Sequence, residues 1–265
     1  MRLDLSYDGT GFSGWAAQPG RRTVQGELTA ALSTLLRVPV VLTVAGRTDA
    51  GVHAAGQVAH VDVPAARWAA IAGSMVRRLA GVLPRDVRVS TVAVAAPGFD
   101  ARFSALRRRY VYRVTDAPWG ADPLRRADTL AWPRRLSEAA MAEAATLLLG
   151  EHDFAAFCRR RVGATTIRAL LAFSVVREAD GVVRIEVEAD AFCHSMVRSL
   201  VGALIAVGEG RQPVTWPASL LRRTQRADDV TVAPPHGLTL MAVEYPPDAE
   251  LGARARETRR VRTRD

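Results

Sequence analysis

Three stretches in which apolar and polar residues alternate one by one limit what this chain can fold into. "RLDLSY" at 2 to 7, "GQVAHVDV" at 56 to 63 and "GVVRIEVEAD" at 181 to 190 place successive side chains on opposite faces, the signature of strands with one buried face. Other segments follow a helical period. "TVQGELTAALSTLLR" carries Val24, Leu28, Leu32, Leu35 and Leu36 behind Thr23, a residue suited to capping a helix. The same reading predicts helices near 67–80, 137–149, 193–207 and 217–224, and further strands at 87–95, 109–115 and 238–245. Asp180-Gly181 lies between two strand-like runs and predicts a hairpin turn. Strands outnumber helices, so the expected class is α+β: two similar α/β halves with mostly antiparallel sheets forming a central sheet, and helices against it. "DAPWGADPLRRADTLAWP" at 116 to 133 marks the expected boundary, giving halves at 1–116 and 117–247. From 248 to 265 the apolar period fades and arginines accumulate, which predicts a disordered tail.

Charge narrows the partners. The 265 residues carry 36 basic and 27 acidic side chains, a net charge of +9, and every basic residue is an arginine. Arginine's planar fork suits phosphate and stacked bases, and the runs Arg77-Arg78, Arg107-Arg108-Arg109, Arg125-Arg126, Arg159-Arg160-Arg161 and Arg222-Arg223 point to a polyanion. In "RRRYVYR" at 107 to 113, Tyr110 and Tyr112 share one face of a strand, as core residues or as platforms for an extruded base. Cys158 and Cys193 stand 35 residues apart outside any metal-ligand pattern and are expected to be reduced. "MRLDLSYDGT" has no apolar core of a signal peptide, and no apolar run reaches the ~18 residues of a membrane span. A cytoplasmic location is expected.

"AGRTDAGVHA" at 45 to 54 concentrates arginine, threonine, aspartate and histidine between Gly46 and Gly51. It reads either as a tight surface turn or as a loop holding side chains in geometries that ordinary residues resist. Asp49, His53, His60 and Asp62 would supply a metal-dependent nuclease, but no HExxH or comparable ligand motif accompanies them. No GxSxG or GxxxxGK[ST] occurs, and Cys193 and His194 are adjacent, a poor arrangement for a nucleophile and its base. A cofactor-free enzyme or a non-catalytic RNA-binding protein remains.

"YDGTGFSGW" at 7 to 15, "TVQGEL" at 23 to 28, "GRTDAGVHA" at 46 to 54, "FDARFSALRRRYVYRV" at 99 to 114, "DAFCHSMVRSLVG" at 190 to 202 and "APPHGLTL" at 233 to 240 occur in the order of the motifs of TruA-type tRNA pseudouridine synthases. The resemblance runs from about residue 2 to residue 245. It implies isomerisation of uridine to pseudouridine at positions 38, 39 and 40 of the tRNA anticodon stem-loop, in a basic RNA-binding cleft. It further implies a homodimer that needs no cofactor and no metal. Carried over by motif, the catalytic aspartate falls on Asp49, the arginine that displaces the target base on Arg47 and the active-site tyrosine on Tyr110. The arginine paired with the carboxylate falls on Arg198, and a pocket-lining leucine on Leu238. Arg107, Arg108 and Arg109 are expected at the RNA, and Thr48 and His53 are expected to hold the loop. The chain departs from the family pattern at Ala16, where a glutamine is usual, and at Ser195, where larger polar residues are common.

Overall fold

The structure is a computed structural model that describes residues 1–159 and 165–259. Arg160 and Arg161 of the arginine run, and tail residues 260–265, lie outside them. The described residues divide into two compact units, 1–106 with 240–259, and 107–239.

In chain order the first unit contains β1 (Arg2–Tyr7), α1 (Val24–Leu36), β2 (Leu42–Val44), β3 (His53–Val61), α2 (Ala65–Ala69), α3 (Met75–Val82) and β4 (Val87–Ala93). Thr23 caps α1 as expected, its side chain accepting from the Gly26 amide. The single helix expected near 67–80 is broken into α2, a 3₁₀ turn at Ala72–Ser74 and α3, because Ile71 and Ser74 leave helical backbone geometry. β1 pairs antiparallel with both β3 and β4, and β2 pairs with β3. Leu3 and Leu5 of β1 face inward with Ala59 and Val61 of β3 and Val87 of β4, the buried half of the alternation.

The second unit runs β5 (Arg107–Thr115), β6 (Leu130–Ala131), α4 (Glu138–Thr146), β7 (Gly150–Asp153), β8 (Ile167–Arg177), β9 (Val183–Ala189), α5 (Met196–Gly208) and α6 (Trp216–Ser219). Its strands lie in the order β5-β9-β8-β7, all antiparallel, with the short β6 parallel to β5. β8 and β9 form the hairpin expected at Asp180-Gly181, closed by the Gly181 amide donating to the Glu178 carbonyl. Both units are thus mixed α+β, with largely antiparallel pairing and helices packed on the strands.

The described residues then form β10 (Leu238–Glu244) and α7 (Leu251–Thr258). Two expectations about boundaries change here. The division falls at Leu106/Arg107 rather than at 116/117, because β5 is paired with β9 from Arg108 to Val114 and so belongs with the later strands. Residues 248–259, the described part of the expected tail, also do not run on as an irregular segment. Leu251 and Ala255, one helical turn apart, are buried, and the Ser104 hydroxyl donates to the Leu251 carbonyl. A third change concerns the cysteines. Cys158 and Cys193 have Cα atoms 5.7 Å apart and are joined as a disulfide, whereas separation along the chain had given no sign that they meet.

Asp116, at the start of the stretch expected to mark the boundary, is an anchor of the second unit. Its carboxylate takes two hydrogen bonds from the Arg177 guanidinium (2.8 and 3.1 Å), one from Arg135 and one from the Leu136 amide. Burial opposes ionisation of Asp116, but these donors outweigh it and hold its carboxyl below the usual range. A depressed folded-state pKa contributes stability that is present above the unfolded value, about 3.9, and is lost as pH falls through the lower folded value. Asp116→Asn should therefore cost about 1–3 kcal/mol at neutral pH, and the penalty should shrink below about pH 4 in chemical denaturation curves. An unchanged denaturation midpoint at pH 7 would refute the anchor.

Candidate active site

The segment between β2 and β3, residues 45–52, is held by residues 7–15. The Trp15 amide donates to the Thr48 carbonyl (3.1 Å) and the Gly51 amide to the Phe12 carbonyl (3.3 Å). The two backbones approach so closely that a Cβ on Gly9 would lie 2.1 Å from the Val52 carbonyl oxygen. One on Gly14, whose φ is +92, would lie 2.9 Å from the Thr48 oxygen, so both positions require glycine. Gly9 and Gly14 of "YDGTGFSGW" thus serve the neighbouring motif. The Val52 amide closes a turn onto the Asp49 carbonyl (3.2 Å), with Gly51 at φ 78 in the third position, as a type II turn demands. Gly46 has open space where a Cβ would stand.

On this frame Arg47 is exposed, Asp49 is half-buried and Thr48 is buried. The Tyr7 hydroxyl bonds the Thr48 hydroxyl (2.8 Å), and the Gln57 carboxamide bonds Tyr7 (3.2 Å) and the Gly46 carbonyl (2.8 Å). His53 is buried at the start of β3, and its Nδ1 lies 3.0 Å from the Gly9 amide and 3.1 Å from Asp8 Oδ1. One nitrogen cannot accept from an amide and donate to a carboxylate at once. The amide is a fixed donor, so Nδ1 is the acceptor and the Asp8 contact is an approach rather than an ion pair. Thr48 and His53 both hold the loop, as expected. His60 Nδ1 accepts from the Ala101 amide (3.0 Å), so both imidazoles of the imagined metal set are engaged with backbone. Among the described residues no three His, Cys, Asp or Glu side chains form a group able to hold a metal ion.

The remaining candidates lie in the second unit. α5 is buried all round except at Arg198. Arg198 Nε donates to the Ala233 carbonyl (2.7 Å), while the Ala233 amide donates to the Arg198 carbonyl (3.0 Å). Ser195, which precedes the helix, has a left-handed backbone (φ 64, ψ 6), a geometry that non-glycine residues adopt at a cost. Tyr110 is buried edge-on against Phe192, with ring centres 5.2 Å apart. Tyr112 is a core residue and no stacking platform: its hydroxyl donates to the Pro234 carbonyl (2.9 Å), and burial pushes its phenol far above the ordinary value, against the pull of the Arg198 charge. Leu238 is buried at the start of β10, just past the 3₁₀ turn Pro235–Gly237.

The three consecutive arginines differ. Arg107 and Arg109 extend from β5 into solvent and meet Glu188 (3.0 Å) and Glu186 (3.5 Å) on β9. Arg108, expected at the RNA, points inward instead: it is 8% exposed and donates to the Asp190 carbonyl at 2.6 Å. Strand parity puts it on the same face as Tyr110 and Tyr112, and that face is core.

Residues 144–246 match the family model described as tRNA pseudouridine synthase. Over nearly its whole length the chain is similar to proteins named tRNA pseudouridine synthase A. The one from Frankia casuarinae is 67% identical across 99% of this chain and 95% of its own. The one from Streptomyces griseus is 59% identical across 99% and 94%, and the one from Mycobacterium leprae 51% across 99% and 95%. These matches define the class as the pseudouridine synthases. Within that class, the chain belongs to the tRNA pseudouridine synthase A family.

Proposed function

We propose that this protein isomerises uridine to pseudouridine in tRNA, at positions 38, 39 and 40 of the anticodon stem-loop, as a cytoplasmic homodimer. The observation that carries the reading is the clamped segment 45–52, which leaves an arginine exposed and an aspartate half-buried two residues apart. In this reading the C1′–N1 bond of the target uridine breaks, the uracil turns, and a C1′–C5 bond forms as the C5 proton leaves. Nothing is oxidised, and no group is donated from outside. Asp49 acts as the carboxylate, attacking C6 or C1′ or removing the C2′ proton. A base within a stem must first leave it, at a cost of a few kcal/mol. Arg47 takes its place, and arginine contacts to phosphate offset the cost in a basic cleft. Arg107 and Arg109 are the strand arginines placed to make such contacts, after exchange of their glutamate partners. In the RNA-bound enzyme Tyr110 stacks on the flipped base, Arg198 supplies the counter-charge to the reacting carboxylate, and Leu238 lines the pocket.

The test is tritium release from tRNA labelled at uridine C5, measured in EDTA. Release with the RNA recovered at full length is the expected result. Tight binding without release would make this an RNA-binding protein instead, and shortened RNA would make it a nuclease.

A further inference from the structure

Gln57 lies in β3 outside the Arg47–Asp49 segment, and its side chain is a carboxamide in a strand face otherwise made of Ala and Val. It is 0% exposed. An apolar residue would fill such a place at lower cost, since a buried amide must recover every hydrogen bond it loses to water. Both N–H groups and the oxygen of Gln57 find partners. One N–H donates to the Gly46 carbonyl (2.8 Å), the other to the Tyr7 oxygen (3.2 Å), and Oε1 accepts from the Val58 amide (3.2 Å). Turning the amide over would set oxygen against oxygen at Gly46, so its orientation is fixed.

That fixes the next link. Tyr7 is 5% exposed, and its oxygen already accepts from Gln57, so its own proton goes to the Thr48 hydroxyl (2.8 Å). Burial pushes the Tyr7 phenol up to about 12, against its hydrogen bonds with Thr48 and Gln57, so the proton stays in place throughout the working pH range. A single directional chain therefore runs from β3 through Tyr7 and grips the segment at Gly46 and at Thr48, the two residues that flank Arg47. The backbone bond from Trp15 to Thr48 fixes the same residue from the other side.

We infer that Gln57 and Tyr7 are positioning residues for the reaction, setting the backbone from which Arg47 and Asp49 project. This rests on the reading of Asp49 as the catalytic carboxylate. Loosening a reacting group by about 1 Å can cost about 100-fold in rate without weakening binding. Removing one hydroxyl from the chain should therefore appear in kcat and spare KM.

The experiment compares Tyr7→Phe, Thr48→Val, the double variant and Asp49→Asn in pseudouridine formation on a tRNA transcript, with thermal unfolding alongside. Each single variant is expected to lose about 10- to 100-fold in kcat, with KM within about 2-fold. Tm should fall by less than about 6 °C. The double variant should lose no more than the worse single one, because both break the same chain. A Tyr7→Phe enzyme with kcat within about 2-fold of the parent, or single losses that multiply in the double, overturns the positioning role. If Asp49→Asn is inactive in that case, the catalytic reading stands. If Asp49→Asn turns over like the parent, the catalytic reading falls and the positioning role falls with it. Should Tyr7→Phe fail to fold, Thr48→Val, which deletes only the terminal hydroxyl, decides by the same split between kcat and KM.

Discussion

Asp49→Asn should lower pseudouridine formation by about 10³-fold or more, within the range that one positioned proton-transfer group contributes, while tRNA binding holds or improves. The two halves of that expectation have different origins. Asparagine keeps the size of aspartate and sits in a turn held by backbone bonds, from the Val52 amide to the Asp49 carbonyl and from Trp15 to Thr48. The fold around it should therefore survive. What goes is a negative charge, which the proposed chemistry needs and which phosphate repels. Tritium release and filter binding on the same preparation separate the two. Turnover within about tenfold of the parent would remove Asp49 from the chemistry, and a parallel loss of binding and turnover would assign it to RNA contact instead.

Gly202→Ala should be among the most damaging single substitutions in the chain, although it adds one methyl group. A Cβ there would stand 1.7 Å from the Thr231 carbonyl oxygen, and backbone cannot swing aside as a long side chain can. Overpacking of this kind costs about 3 kcal/mol at the upper end of its usual range, which is roughly 6–12 °C of Tm in a protein of this size. The displaced strand of chain leads directly to Ala233, which is bonded twice to Arg198. Activity should therefore fall further than the lost stability accounts for. Gly81→Ala in α3 is the matched control: nothing lies within 4 Å of its Cβ, and alanine favours a helix by up to about 1 kcal/mol. A Gly202→Ala protein that melts like the Gly81→Ala protein would mean that Thr231 has room to move.

How much of this was legible beforehand depended on whether the signal was local. β1, the β8–β9 hairpin and the Thr23 cap follow from alternation, turn chemistry and a side-chain oxygen at a helix start, each complete within a few residues. The segment at 46–54 stood out because its composition is unusual. Its partners did not: parity in "GQVAHVDV" sets Gln57 with Ala59 and Val61, but nothing local says what a glutamine on that face would bond. Only the three-dimensional neighbourhood shows that Tyr7 and the Gly46 carbonyl are its partners. Arg108 was legible and misread: the parity that groups Tyr110 with Tyr112 also places Arg108 with them. The disulfide and the buried stripe of α7 depend on contacts between residues distant in sequence, and the many arginines of the last segment masked the Leu251–Ala255 pair.

The first unit is begun by residues 1–106 and finished by residues from 240 onward. During synthesis it is therefore the first to leave the ribosome and the last to be completed. β10 closes onto β3 so tightly that a Cβ on Gly56 would fall 2.3 Å from the Met241 carbonyl oxygen, and until that strand emerges the edge of β3 waits uncovered. The second unit has all its described residues in hand by Thr239 and can finish first. The segment that would carry the reactive aspartate is thus mounted on the part of the protein that matures last, so an interrupted chain stays inactive until its final strand is made.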